Sequence, residues 1–258
     1  MDCDKTIERT WDSLRKLAPE RFEKFRKPGD PDYSYAISRY QFDLALRESL
    51  IPMISGTEVA LRNVIHSCLT ASHGERWFEG DSFYFHEHEQ AALDKNFGEL
   101  EERRGVRSQQ LPPCDIISHL SMGFWVGLLT AKYQASVWAL LGNDRWIHQG
   151  VKKEHFIGRE AFHIRCHNVR KLRNRLAHNE PISTKPDIIH PNRTLPVIHA
   201  EALEMIGWIN KRYLITIKLT DRFEEVWSAG SEPYRIALVE ELCKERPVSG
   251  VEHLQLEG

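Results

Sequence analysis

The stretch Lys171-Leu172-Arg173-Asn174-Arg175-Leu176-Ala177-His178-Asn179-Glu180-Pro181 places two arginines, two asparagines and a histidine at the end of an apparent helix. Pro181 disfavours helical φ/ψ at Glu180, so the helix is expected to stop there. His178 then falls in the last turn, beside unpaired carbonyls and the negative end of the helix dipole, a position that suits a proton donor. Asn174 lies one turn back on the same face and Arg175 three residues back, so the three can meet one anion. Such a set is equipped to handle phosphate.

Working outward, the helix that carries this stretch is expected over about 158–179. Projected at about 100° per residue, Phe162, Cys166, Val169, Leu176 and also Arg173 share one apolar stripe. His178, Asn174, His167 and Lys171 fall opposite, with His178 roughly 140° from Arg173. The same projection over 58–69 puts Glu58 in line with Leu61, Ile65 and Cys68. Two charges of opposite sign on apolar stripes suggest a buried Glu58–Arg173 pair, in which each charge would relieve the other's desolvation. A Glu58–Arg62 pair one turn along the helix competes with it.

The rest of the chain is read as helical too. A short helix over about 7–17 precedes a loosely packed lead-in containing Pro19, Pro28, Gly29 and Pro31. Helices are expected from Ser34 to Pro52, from about Ser55 to Leu69 with Ser55 or Thr57 as cap, from about Glu89 to Arg104, and from Ile116 to Thr130 behind an Asp115 cap. Residues 79–88 read as an aromatic loop, and Gly142-Asn143-Asp144 as a turn between Trp138 and Trp146. Beyond a loop over 181–197, a long helix is expected over about 199–226 and a short one over about 233–244. No strand set, repeat or glycine-rich phosphate loop stands out. The fold class is all-α, a bundle of long helices with additional short ones. The boundaries are drawn at 1–33 for the lead-in, 34–230 for the main helical domain and 231–258 for a terminal helix and tail.

At 258 residues and 41% hydrophobic content the chain has material for an ordinary packed core. No run reaches the ~20 apolar residues that span a bilayer, and the first eight residues lack the apolar centre of a signal peptide. The expected compartment is cytoplasmic, without a membrane partner. Five cysteines, Cys3, Cys68, Cys114, Cys166 and Cys243, form no Cys-x-x-Cys pair and read as reduced thiols. The net charge is −2, yet 152–178 holds eight basic residues against Glu154 and Glu160, a local excess that points to an anionic partner. His163 and His167 sit one turn apart and His86 and His88 alternate, but no glutamate completes a zincin pattern. Neither a metal nor a cofactor is expected. Ser, His and Asp show no nucleophile-elbow spacing.

Arg173-Asn174-Arg175-Leu176-Ala177-His178 resembles the Arg-Asn-x-x-x-His signature of HEPN domains, and its extension through Asn179-Glu180-Pro181-Ile182 resembles their Abi-like branch, associated with bacterial abortive infection. Further segments resemble the same branch in the same order: Glu58-Val59-Ala60-Leu61-Arg62-Asn63, then His73-Gly74 with Trp77-Phe78, then Leu120-Ser121-Met122-Gly123-Phe124-Trp125. The resemblance implies a HEPN-like bundle and a metal-independent endoribonuclease, a toxin or abortive-infection effector. In it Arg173, Asn174 and His178 would be catalytic, Arg175, Lys171, Arg170 and His167 would bind RNA, and Glu58, Arg62 and Asn63 would support the site. It also implies a homodimer and a cognate protein or RNA antitoxin. The alternative is a non-catalytic RNA- or nucleotide-binding or regulatory module that uses the same groove.

Overall fold

Asp32 begins the first long element by accepting a hydrogen bond from the Ser34 amide at 2.6 Å, as helix-capping side chains do. The computed structural model describes residues 3–142, 157–183 and 193–244. All regular structure among them is helical: α1 (Cys3–Leu17), α2 (Pro19–Phe22), α3 (Ser34–His73), α4 (Glu87–Arg104), α5 (Pro113–His119), α6 (Met122–Gly127), α7 (Ala139–Leu141), α8 (Arg159–Ala177), α9 (Leu195–Ile209), α10 (Lys211–Lys218), α11 (Phe223–Ala229) and α12 (Glu232–Cys243), with short 3-10 turns and a π-helical segment (Gln134–Trp138) between. The expected all-α class of long helices interspersed with short ones is what the chain adopts.

Several boundaries differ from the sequence reading. The two helices expected on either side of Pro52 are one 40-residue helix, α3. A proline inside a helix costs about 3 kcal/mol through its missing N–H and ring clash. Leu46, Leu50 and Met53 around it are each fully buried, and about 1.5–3 kcal/mol for each outweighs that loss. The opposite happens elsewhere. The helix expected over 116–130 splits at Leu120, which is extended, and Ser121 caps α6 by accepting from the Phe124 amide. The helix expected over 199–226 splits twice. Asn210 turns extended and caps α10 through the Tyr213 amide, and Asp221 accepts from the Phe223 amide at the start of α11. The Gly142–Asp144 turn beyond Gly142, Trp146, Lys152, Lys153 and most of the 181–197 loop lie outside the described residues.

The chain packs as two compact units. The first comprises residues 1–48, 181–184 and 225–258. The expectation of a loosely packed lead-in is overturned there. Trp11 and Phe22 join Ala36 and Ile37 in a core, Trp11 stacks on Tyr33 at 5.1 Å, and Phe25 is buried. Pro19 begins α2, which carries Phe22 into that core. Cys3 and Cys243, read as thiols, form a disulfide between α1 and α12, with their Cα atoms 5.2 Å apart. A separation of 240 residues hid the pairing in the sequence.

Within this unit Asp43, 1% exposed, is bonded on several sides. Its Oδ1 accepts from the Ile182 amide, the Ser183 amide and the Ser183 hydroxyl, each at 2.8 Å. Its Oδ2 accepts from Arg47 Nε at 2.8 Å. A buried carboxylate is tolerated only with such satisfaction.

The second unit comprises 49–180 and 185–224. Its aromatic centre includes Trp77, Trp125, Phe83, Phe85 and Phe124. Gly74, at φ 88°, ends α3, where the Trp77 indole then donates to His66 Nδ1 at 3.0 Å. The Tyr133 hydroxyl donates to the buried Glu89 carboxylate at 2.9 Å and accepts from the His86 amide at 2.8 Å. Both α6 and α9 pack on α8.

Asp43→Ala is expected to lower unfolding free energy by about 3–5 kcal/mol in urea titration, because it breaks a buried ion pair with Arg47 and removes the acceptor of the buried Ile182 amide and the part-buried Ser183 amide. Asp43→Asn should lose less. A wild-type midpoint for Asp43→Ala would refute the clamp.

Candidate active site at the C-terminal end of helix α8

The last turn of α8 is closed by backbone bonds that explain its sequence residue by residue. The His178 amide donates to Asn174 O at 2.9 Å, the Asn179 amide to Leu176 O at 3.0 Å and the Glu180 amide to Arg175 O at 2.9 Å. The last two are the crossed pair of a Schellman cap, which needs a left-handed residue at the position of Asn179. Asn179 has φ 55° and is the single described non-glycine residue with positive φ. Asparagine tolerates that conformation far better than branched residues. Pro181, which cannot continue a helix, follows two residues on. His178 is thereby fixed as the C-cap residue, at φ −87° and ψ 7°.

Around that cap, Arg173 and His178 are exposed and Asn174 is half-exposed. Among the described residues none of their side chains is engaged in a hydrogen bond or ion pair. Five residues separate Arg173 and His178, which leaves them about 140° apart around the helix. Asn174 and His178 are one turn apart, and Arg170 lies a further turn back on the same side. The polar face continues to His167 and His163, whose rings are 5.9 Å apart.

Two side chains sit differently from the sequence reading. Arg173, placed on the apolar stripe, faces solvent, whereas Arg175, expected on the RNA-facing surface, is buried at 9% exposure with Nε 3.8 Å from Glu180 Oε2. The buried positions explain the exchange. Cys166, Val169, Leu172 and Arg175 advance by three residues at a time, and each such step falls about 60° behind a full turn. The buried face therefore swings away from Arg173 along the helix. The expected Glu58–Arg173 pair is absent accordingly: Glu58 is half-buried, and no ion pair joins it to Arg173 or to Arg62 among the described residues. Arg62 Nε instead donates to Asn63 Oδ1 at 3.3 Å.

Lys171 is exposed and Arg170 partly so. His167 differs from them in charge. Burial first, then the neighbouring Arg170, Lys171 and His163, hold it well below the ordinary histidine range, at about 4. It is neutral near pH 7, so it presents a ring and a hydrogen-bonding nitrogen rather than a cation. Burial, with Arg159 and Arg170 beside it, lowers His163 as well. Among the described residues no three of His, Cys, Asp and Glu are grouped so as to hold a metal ion.

The sequence reading missed Asp43, although Asp43 and Arg47 show an i, i+4 pair of opposite charges within a stretch of buried positions, a readable signal. It also passed over Asn96 and His119, whose side chains meet at 3.1 Å from different helices. Nothing in their spacing announces that contact.

Two outcomes test this geometry. Asn179→Val should destabilise by about 1–2 kcal/mol through the left-handed backbone penalty, while Asn179→Gly stays near wild type. For His167 the folded-state value lies below the unfolded one, so the unfolded chain binds the extra proton. Its contribution is fully present above about pH 6.5 and is lost as pH falls toward about 4. The thermal midpoint should therefore drop between pH 6.5 and 5, and His167→Asn should make that slope shallower. An unchanged slope would count against the buried neutral ring.

No curated protein matches this chain, and no solved structure does. A family model described as Abi-like protein matches residues 8–183. That span runs from α1 to the Ser183 held by Asp43, and includes the whole of α8 with its cap. Covering well over half of the sequence, the match shows that the chain belongs to the Abi-like family.

Proposed function

We propose that this protein is a metal-independent endoribonuclease of the HEPN type, acting as an abortive-infection or toxin effector in the cytoplasm. The observation that carries the reading is the end of α8, where Arg173, Asn174 and His178 are displayed around a helix cap without protein partners among the described residues. The Abi-like family supports the biological setting. In the proposed reaction the RNA 2′-oxygen attacks its adjacent phosphorus and loses its proton. The bond from phosphorus to the 5′-oxygen breaks, and that oxygen takes up a proton. His178 performs a proton transfer, Arg173 stabilises the charge that builds on the phosphorane, and Asn174 orients a phosphate oxygen or the imidazole. The products are a 2′,3′-cyclic phosphate and a 5′-hydroxyl. Lys171 and Arg170 attract the strand.

The angle between Arg173 and His178 favours a site shared by two copies. In a two-fold homodimer, His178 of one copy can work beside Arg173 of the other, although the two diverge within one helix. A non-catalytic RNA- or nucleotide-binding module is the second reading, favoured by the same divergence if the chain acts alone. A cognate antitoxin, protein or RNA, belongs to the toxin setting.

His178→Ala should lower RNA cleavage by roughly 10²- to 10⁴-fold, and both it and Arg173→Ala should stay within about ±0.5 kcal/mol of wild-type stability because both side chains are exposed. Cleavage should survive EDTA. Mixing the two inactive variants should restore about a quarter of wild-type turnover if the site is shared across a two-fold axis, and none if it is built within one chain. Wild-type protein that leaves RNA intact at every concentration would refute the nuclease and leave the binding module.

A further inference from the structure

The core of the first unit is built without α12. Trp11 of α1, Phe22 of α2 and Ala36 and Ile37 of α3 are buried together, whereas no residue of α12 is buried. From α12, Leu238 covers that core only in part, Arg235 lies over the Tyr35 ring at 4.8 Å and Tyr234 is tilted against Phe42 at 6.3 Å. Half-covered contacts of this kind take little apolar surface out of water, so they stabilise the docked helix only modestly. The covalent tie is different in kind. It joins Cys3, the first residue of α1, to Cys243, the last residue of α12.

The placement of the five cysteines isolates that bond. Cys68 and Cys166 are buried in the second unit, where burial pushes both thiols up, that of Cys68 to about 12. The thiolate is the reactive form, so neither competes in exchange near neutral pH. Cys114 is exposed and also belongs to the second unit. Cys3 and Cys243 are each half-buried, open enough for a small thiol to reach a sulfur. Their Cα atoms are 5.2 Å apart, within the roughly 4.4–6.8 Å that suits a disulfide, so the pair can close again while the helices stay side by side.

We propose that the Cys3–Cys243 pair is a redox clasp: a dithiol reductant opens it and frees α12 from α1, while the core of the first unit stays folded. A thiolate of the reductant attacks one sulfur, the S–S bond breaks, and the other sulfur leaves as a thiolate and takes up a proton. The second thiol of the reductant then displaces the first cysteine, so the pair gains two electrons and two protons and the reductant ends as a disulfide. A small-molecule disulfide runs the same exchange backwards. In the cytoplasmic setting, which rests on the proposed function, disulfides are typically transient or redox-sensing.

Thiol labelling and hydrogen exchange of the full-length chain test the clasp. In the oxidised protein iodoacetamide should label Cys114 alone. After treatment with dithiothreitol and desalting it should label Cys3, Cys114 and Cys243, with Cys68 and Cys166 untouched both times. Amide exchange over α12 should speed up about ten-fold or more on reduction, while the amides around Trp11 and Ile37 keep their protection. Oxidised glutathione should restore slow exchange in α12. Cys243→Ser should exchange fast there under both conditions. Labelling of Cys3 and Cys243 before reduction, or exchange in α12 that ignores both reductant and Cys243→Ser, overturns the proposal. So does loss of protection around Trp11 together with α12, which would make the bond a structural staple. None of these readouts involves RNA, so their outcome is separable from that of the nuclease reading.

Discussion

The crossed pair of backbone hydrogen bonds that closes α8 is the constraint on which the candidate site depends. It requires one left-handed residue, and Asn179 supplies it. Because the cap is made of main-chain groups, the side chains of Arg173, Asn174 and His178 are not consumed in building it. That division of labour lets a helix end be rigid without using those side chains. Two residues further on, the Asp43 carboxylate takes up the amides of Ile182 and Ser183, so the chain that leaves the cap is held as well.

Charge on α8 is sorted by burial rather than by residue type. Arg175 and Arg173 are two positions apart, yet one is buried and the other faces solvent. His167, surrounded by cations and half-buried, is held neutral. A count of basic residues along this helix therefore overstates its exposed positive charge. The cations that remain, Arg170, Lys171 and Arg173, are spread around the helix rather than gathered on one face.

Short capping signals break up the second unit's expected long helices. Ser121, Asn210 and Asp221 each accept from a backbone amide at a helix start, and each interrupts what would otherwise be a continuous apolar helix. The first of these interruptions lines a cleft beside Arg170.

The sequence by itself determined the all-α class, the helix end before Pro181, the place of Asn174 and His178 on its polar side and the resemblance to the Abi-like family, because proline, capping residues and apolar periodicity act over a few residues and are local. Tertiary structure alone decided which arginine is buried, since the buried face of α8 drifts to follow α6 and α9 and no straight projection contains that drift. It decided that α3 passes through Pro52, where burial of Leu46, Leu50 and Met53 outweighs one lost hydrogen bond. It also decided the Cys3–Cys243 bond, the Asp43 clamp and the Asn96–His119 contact, each of which joins residues that only packing brings together.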